Sequence, residues 1–511
     1  MSRPWLAAPL FATFACGAPS VRPTAIPPPA GPPSPVEAPT AAPPPVAPPT
    51  PMKVYLPAEQ TGGSPYCLDP DSAQLRAILT APPPGDDATF PAIALRADVP
   101  FLHDLLRTTY AAYPELIQRR DFDIGAFFET WAASLPATDD PIGIRPGIVD
   151  PLIELKVVHR DNHLQLRGWG GKMSRDPRLT ITEFSVDAQV DSAERCVPGE
   201  ASTVLPHTIR SARRLDESGA VVPVLVASTL GPAPPSLELT CGEAKHSLTP
   251  RPDVANRLDR SAPVYEWAAA DDTAVISVRR LFGNPAEVEQ LRQLATDYAQ
   301  HREHRRIVFD FRGNPGGNDG HIYAWVKEAH RGVLKIRPSL ELKAGAAPCG
   351  FWNYRVADQL RYGVADSPEA VAERQELRKQ WPARVPAVEH DIFNGVINSD
   401  AARPYKGKVY VLVDRHSGSS GESGPLALVA SLGATLVGER TGGYLEYGNL
   451  RSFVLPHTGL VVNVPSKRNY HQPPVEGVGI AVDIYLSASD LGLPAAEVAA
   501  LLARSERGKR R

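Results

Sequence analysis

The rhythm of apolar and polar positions changes along this chain, and the changes divide it. Between about 53 and 160, apolar residues recur at helical intervals: Ile78 and Leu79, 101–106, Leu116 and Ile117, Phe127 and Phe128. The stretch 121–131 predicts an amphipathic helix opening near an acidic cap. Pro82-Pro83-Pro84 and Pro141 separate these helices. From His163 to Arg167 the pattern alternates, as in a half-buried strand. Short strands and turns continue to about 255, at 179–181, 184–186, 221–226 and 237–239, and predict a small β-rich insert.

At Thr273 strands and helices begin to alternate. A strand is expected over 274–281, a helix over 285–302, a buried strand over 307–311, a tight turn over 312–318 and a helix over 321–330. The β-branched run 409–413 is another buried strand; a small-residue turn and a helix-compatible segment, 425–432, follow it. A strand over 434–437, a hairpin of 451–455 with 460–464 around His457-Thr458-Gly459, and a last helix over 495–511 complete the pattern. Alternating strand and helix predicts a mixed α/β fold whose core holds a parallel sheet. Residues 333–405, with Cys349, two tryptophans and a charged helix over 368–379, interrupt it as a lid or cleft rim. The expected organisation is 53–163 helical, 164–260 β-rich, 261–490 core and 491–511 a terminal helix with a basic tail.

Composition adds an N-terminal reading. Residues 1–16 hold Arg3, a short apolar run and Thr13-Phe14-Ala15-Cys16, which resembles a lipoprotein box with Thr13 where Leu is usual. The run is too short to span a bilayer and reads as an export signal, with Cys16 the lipidation site. Residues 17–52 are mostly Pro, Ala, Thr, Ser and Val, an extended tether rather than a core. The expectation is an exported protein of a bacterial cell envelope, meeting a membrane only through that anchor. Net charge is −3, so neither nucleic acid nor an anionic surface is called for as a partner. Besides Cys16, the cysteines are Cys67, Cys196, Cys241 and Cys349; the shared strand-rich region favours pairing Cys196 with Cys241. No Cys/His spacing reads as a metal site.

Candidate chemistry centres on Ser419. It lies in a glycine-flanked turn, between Gly418 and Gly421, after a buried strand and before a helix. Sites gather at the carboxyl ends of such strands, and helix N-termini favour developing negative charge. The same residues, Ser419-Ser420-Gly421-Glu422, also fit a helix capping box. A rival, Ser423, nearly matches a nucleophile elbow but has Pro425 in place of its last glycine. The glycines of 312–317 can present backbone N–H groups, though their spacing is not a dinucleotide fingerprint. His163 could serve as a general base; His416 competes by proximity to Ser419. His301 and His304 look like the solvated end of a helix. Glu476, alone in its loop, could orient a base.

Together these stretches resemble the tail-specific, or C-terminal-processing, peptidases of family S41. Asp310, Arg312, Asn314, Gly316 and Gly317 are similar to the family's D-x-R-x-N-x-G-G. Residues 409–422 resemble its strand and T/S-x-S-x-x-E, which sets Ser419 on the nucleophile. Gly438-Glu439-Arg440-Thr441-Gly442-Gly443 resembles G-E-x-T-x-G, and 476–484 resembles E-x-x-G-x-x-P-D with Val482 for proline. The resemblance implies a ClpP/crotonase-like core acting on peptide or protein substrates, with no cofactor and no metal. Where one branch has a dyad lysine, this chain has Tyr444; Lys467 is the next lysine. Asp161-Asn162-His163-Leu164-Gln165-Leu166 instead resembles the tricorn-like branch. That implies His163 as base, with Asn162 and Glu476 completing a tetrad. The N–H of Gly316 or Gly317 and that of Ser420 would hold the oxyanion. A silent binding protein on the same fold and an ester hydrolase using Ser423 are the alternatives.

Overall fold

The computed structural model describes residues 47–508, apart from 62–63, 175, 191–192, 200–203, 206–207, 217, 253–258, 260, 336–338, 343–346, 380, 382–389, 394–395 and 472–473. The readings placed on residues 1–46, Cys16 among them, lie outside the described residues. The fold is mixed α/β. Five strands run parallel in the order Thr273–Val278, Arg306–Asp310, Lys408–Val413, Thr435–Gly438 and Ile484–Tyr485. Tyr265–Ala270 adds an antiparallel edge. Val409, Val411 and Val413 share one sheet face and pack with Ile307, Phe309 and Trp325. Tyr410 and Leu412 face the other way, onto Leu491, Val498 and Leu502. Burial on both faces explains the continuous apolar run.

The β-rich region is tied into this sheet. Ile484–Tyr485 pairs in parallel with Arg213 and Arg214 of the strand Arg210–Leu215. That strand pairs with Val221–Leu230, which pairs with Ile181–Val186. Cys196 and Cys241 are bonded across neighbouring strands, as their shared region suggested, and Cys67 is bonded to Cys349.

The helical N-terminal region packs on a long hairpin, Tyr447–Val454 with Val461–Asn469. The helix Ile124–Ser134 starts three residues later than its pattern suggested, because Asp123 accepts from the Ala126 N–H and so caps it. The helix expected over 285–302 breaks at Asp297 into Pro285–Thr296 and Tyr298–His301. His301 is fully buried rather than solvated: its Nδ1 accepts from the Trp325 indole at 3.1 Å, and its Nε2 meets Tyr265 Oη at 3.2 Å. Within 333–405, the helix Ala347–Arg361 lines a large cleft through Phe351, Tyr354 and Arg355.

Candidate active site

Ser419 sits where the strand Lys408–Val413 hands over to a helix. That helix begins at Ser420, five residues before the pattern suggested, and carries Pro425 inside it. Ser419 has φ 53° and ψ −121°. A non-glycine residue there costs about 1–3 kcal/mol and persists only where surroundings enforce it. The enforcement is visible. Glu422 is buried, and its carboxylate accepts from the N–H groups of Ser419 (3.1 Å), Tyr444 (2.7 Å) and Gly443 (2.9 Å) and from Thr441 Oγ1 (2.5 Å). The capping-box carboxylate is therefore in place, and it ties the serine turn to the 441–444 segment. Burial pushes the Glu422 carboxyl up to about 7, against the pull of those donors.

The 312–318 turn closes on the serine from the other side. Asn314 accepts the Gly418 N–H on its carbonyl at 2.9 Å and donates from Nδ2 to the Val278 carbonyl at 2.7 Å. Gly316 (φ 104°) leaves no room for a side chain: a Cβ there would stand 2.7 Å from Ser419 Cβ. Its N–H donates to Asn314 Oδ1 at 2.8 Å, so of the expected glycine pair only Gly317 keeps an amide outside that bond. Ser420 Oγ donates to the Gly317 carbonyl at 2.7 Å, locking turn to helix.

His163 arrives from the far side of the chain. The helix Asp150–His159 ends in Arg160, whose left-handed backbone (φ 56°) turns the chain sharply. Two residues after His163, Gln165–Leu166 pairs with Val462 and Asn463 of the hairpin. His163 is thus held between a helix end and a sheet edge. Its N–H donates to Asp161 Oδ1 at 2.7 Å, while its buried Nδ1 has no hydrogen-bond partner among the described residues. Burial, reinforced by the Lys156 ammonium, pulls the imidazole down to about 3. Glu476 accepts the Asn162 N–H at 3.1 Å and the Glu446 N–H at 2.8 Å; burial and the nearby Asp161 raise its carboxyl well above the usual range. A ring nitrogen of His163 and carboxylate oxygens of Asp161 and Glu476 lie within 4.8 Å of one another. No spacing of Cys and His revealed that trio, because Glu476 comes from a distant segment and two of the three ligand groups are carboxylates.

One cleft of about 1810 Å³ is lined by Asn162, His163, Gly317, Ser419, Ser420 and Tyr444. His416, Lys467 and Ser423 also line it. Tyr444 stands between the two halves. A Cβ on Gly418 would meet its ring at 3.0 Å, and the His163 ring lies edge-on to it with centroids 6.1 Å apart. Ser423 lies inside the helix and donates to Asp319 Oδ2 at 2.7 Å. It is not on a strained turn, so the elbow geometry belongs to Ser419. Sequence reasoning passed over Asn314 as an organiser of the turn, Glu446, Asp161 and the buried Lys156.

Residues 272–486 match the family model for Peptidase family S41. This segment is an S41 peptidase core. The match spans Asn314, Gly317, Ser419, Glu422 and Glu476, and leaves His163 and Asn162 outside it. Among solved structures, the chain is similar to mature CPAF complexed with lactacystin (14% identity, TM-score 0.41, 82% of this chain and 99% of that one). It is also similar to the photosystem II D1 C-terminal processing protease (15%, 0.37, 80% and 97%) and to the tricorn protease (12%, 0.36, 81% and 37%). No curated protein matches the chain. The family matched by residues 272–486 is one of peptidases, which act on peptide or protein substrates.

Proposed function

We propose that the S41 core is a serine peptidase that cleaves peptide bonds through an acyl-enzyme on Ser419. The observation that carries the reading is the strained Ser419, held at a helix N-terminus and opening on the cleft that His163 also lines. His163 takes the hydroxyl proton as Ser419 Oγ bonds to the peptide carbonyl carbon. The N–H groups of Gly317 and Ser420 hold the oxyanion, and an oxyanion donor of this kind is worth roughly 3–4 kcal/mol. His163 returns the proton to the leaving amine, and the C–N bond breaks. Water, deprotonated by the same imidazole, then releases the acyl group. Glu476 and Asn162 orient the base. The chain acts as an exported, lipid-anchored envelope protein, a reading that stands on the sequence around Cys16 alone.

One observation favours a silent binding protein instead. The Tyr444 ring packs between Gly418 and His163, where a dyad lysine would otherwise approach. A fluorophosphonate probe separates the two. Wild type should label, and Ser419→Ala should not; His163→Ala should fold normally and lose at least about 10²-fold in kcat, the usual worth of a general base. An unlabelled wild type, or labelling that survives Ser419→Ala, refutes the peptidase reading.

A further inference from the structure

Lys156 is fully buried on the helix Asp150–His159 and takes no part in the steps above. Its ammonium donates to the carbonyls of Asn162 and Leu164, each at 3.1 Å. Those carbonyls flank His163. The ammonium also faces the carboxylates of Asp161 and Glu476. Asp161 in turn holds the His163 N–H, and Glu476 holds the Asn162 N–H. One cation therefore ties down both the backbone around His163 and the acids beside its ring.

The spacing of Asp161, His163 and Glu476 would suit a metal ion. A divalent cation there would have to enter beside an ammonium that already faces both acids. The positive charge the trio needs is built into the chain. An unpaired buried carboxylate costs several kcal/mol, so the ammonium also explains how two acids stand beside one imidazole.

We propose that Lys156 is a positioning residue for His163: its ammonium clamps the 161–164 turn by two carbonyls and supplies the counter-charge for Asp161 and Glu476. It does not line the cleft, so it touches no substrate. The inference rests on His163 acting as the base of Ser419.

Lys156→Met tests it. Displacing the imidazole by ~1 Å costs roughly 10²-fold in rate, so kcat should fall by about that factor while KM holds. The pH profile supplies a readout that a purely structural role would not move. The groups facing His163 are Lys156, Asp161, Glu476 and the Tyr444 ring; Glu476 also faces Glu422, and Asp161 faces Tyr110. Lys156 lowers the affinity of His163 for protons, so its loss should shift the acid limb of kcat/KM to higher pH. Lys156→Met also strands a buried carboxylate. The double variant Lys156→Met/Asp161→Asn removes one charge of each sign and keeps an oxygen for the His163 N–H; it should fold, by circular dichroism, and remain slow. A folded variant with wild-type kcat, a loss carried by KM alone, or an unmoved acid limb overturns the proposal. If both variants unfold, the role is stability rather than positioning, which also overturns it. Activity surviving Ser419→Ala or His163→Ala would instead overturn the underlying reading.

Discussion

Gly316→Ala probes how tightly the serine turn is enforced. Gly316 has φ 104°, a conformation that side chains rarely adopt, and a methyl there would stand 2.7 Å from Ser419 Cβ, 2.9 Å from the Gly418 carbonyl oxygen and 2.9 Å from the Ser420 nitrogen. None of these is the flexible end of a side chain. The backbone strain is worth about 1–3 kcal/mol and the overpacking about as much again. If both are absorbed in place, the fold loses about 2–6 kcal/mol. If the serine turn moves instead, each ~1 Å of displacement costs roughly 10²-fold in reactivity. The assay is a thermal melt paired with the second-order rate of fluorophosphonate labelling. Gly231→Ala is the control: its φ is 91°, but nothing lies within 4 Å of the added methyl. It should carry backbone strain alone and label at the wild-type rate once folded. Equal losses in both variants, or wild-type labelling and melting in Gly316→Ala, would refute the argument from close packing.

Two further outcomes follow from buried groups. Glu422 is raised from 4.5 to about 7, so the folded state binds more protons than the unfolded state between those pH values. Its stabilising contribution is complete below 4.5 and is lost as pH rises through 7, by about 3 kcal/mol in total. Glu422→Gln should erase that pH dependence in urea titrations. It should also destabilise the fold, since an amide NH₂ would face at least one N–H donor in either orientation; a slope that persists between pH 4.5 and 7 argues against Glu422 as its source. Reducing Cys67–Cys349, or replacing both cysteines with serine, opens a bridge across 282 residues and should cost about 2–4 kcal/mol. Because Cys349 anchors the helix carrying Phe351, Tyr354 and Arg355 at the cleft, KM should rise more than kcat falls; an unchanged KM refutes that link.

The sequence made the parallel strands legible because burial on both faces leaves unbroken apolar runs, as in 409–413. It made Ser419 visible through its glycines but hid where the helix begins. Gly421 and Gly424 read as turn residues and Pro425 as the start of the helix, yet all three lie inside the helix Ser420–Leu432. The reason is steric. A Cβ on Gly421 would stand 2.3 Å from the Asn314 carbonyl oxygen, and one on Gly424 would press on Ile322 and Phe311 at 3.2–3.4 Å. The glycines are small because the 312–318 turn and the helix Gly320–Ala329 pack directly against this one, not because the chain turns there. Local propensity disfavours these residues by up to ~1 kcal/mol each, and the tertiary approach they permit is what brings Ser419 against Gly316. The residues around His163 were illegible for a related reason. Nothing in the pattern singles out Lys156 or Glu446, and Asp161 enters only as part of the segment that holds His163. Their burial depends on the 474–479 loop folding back onto Arg160, where a Cβ on Gly477 would come within 3.0 Å of Arg160 Cβ. Side-chain periodicity reports only which face of an element is apolar. It is silent on which charges are enclosed together once distant elements meet, and in this chain Glu476 joins Lys156, Asp161 and His163 only through such a meeting.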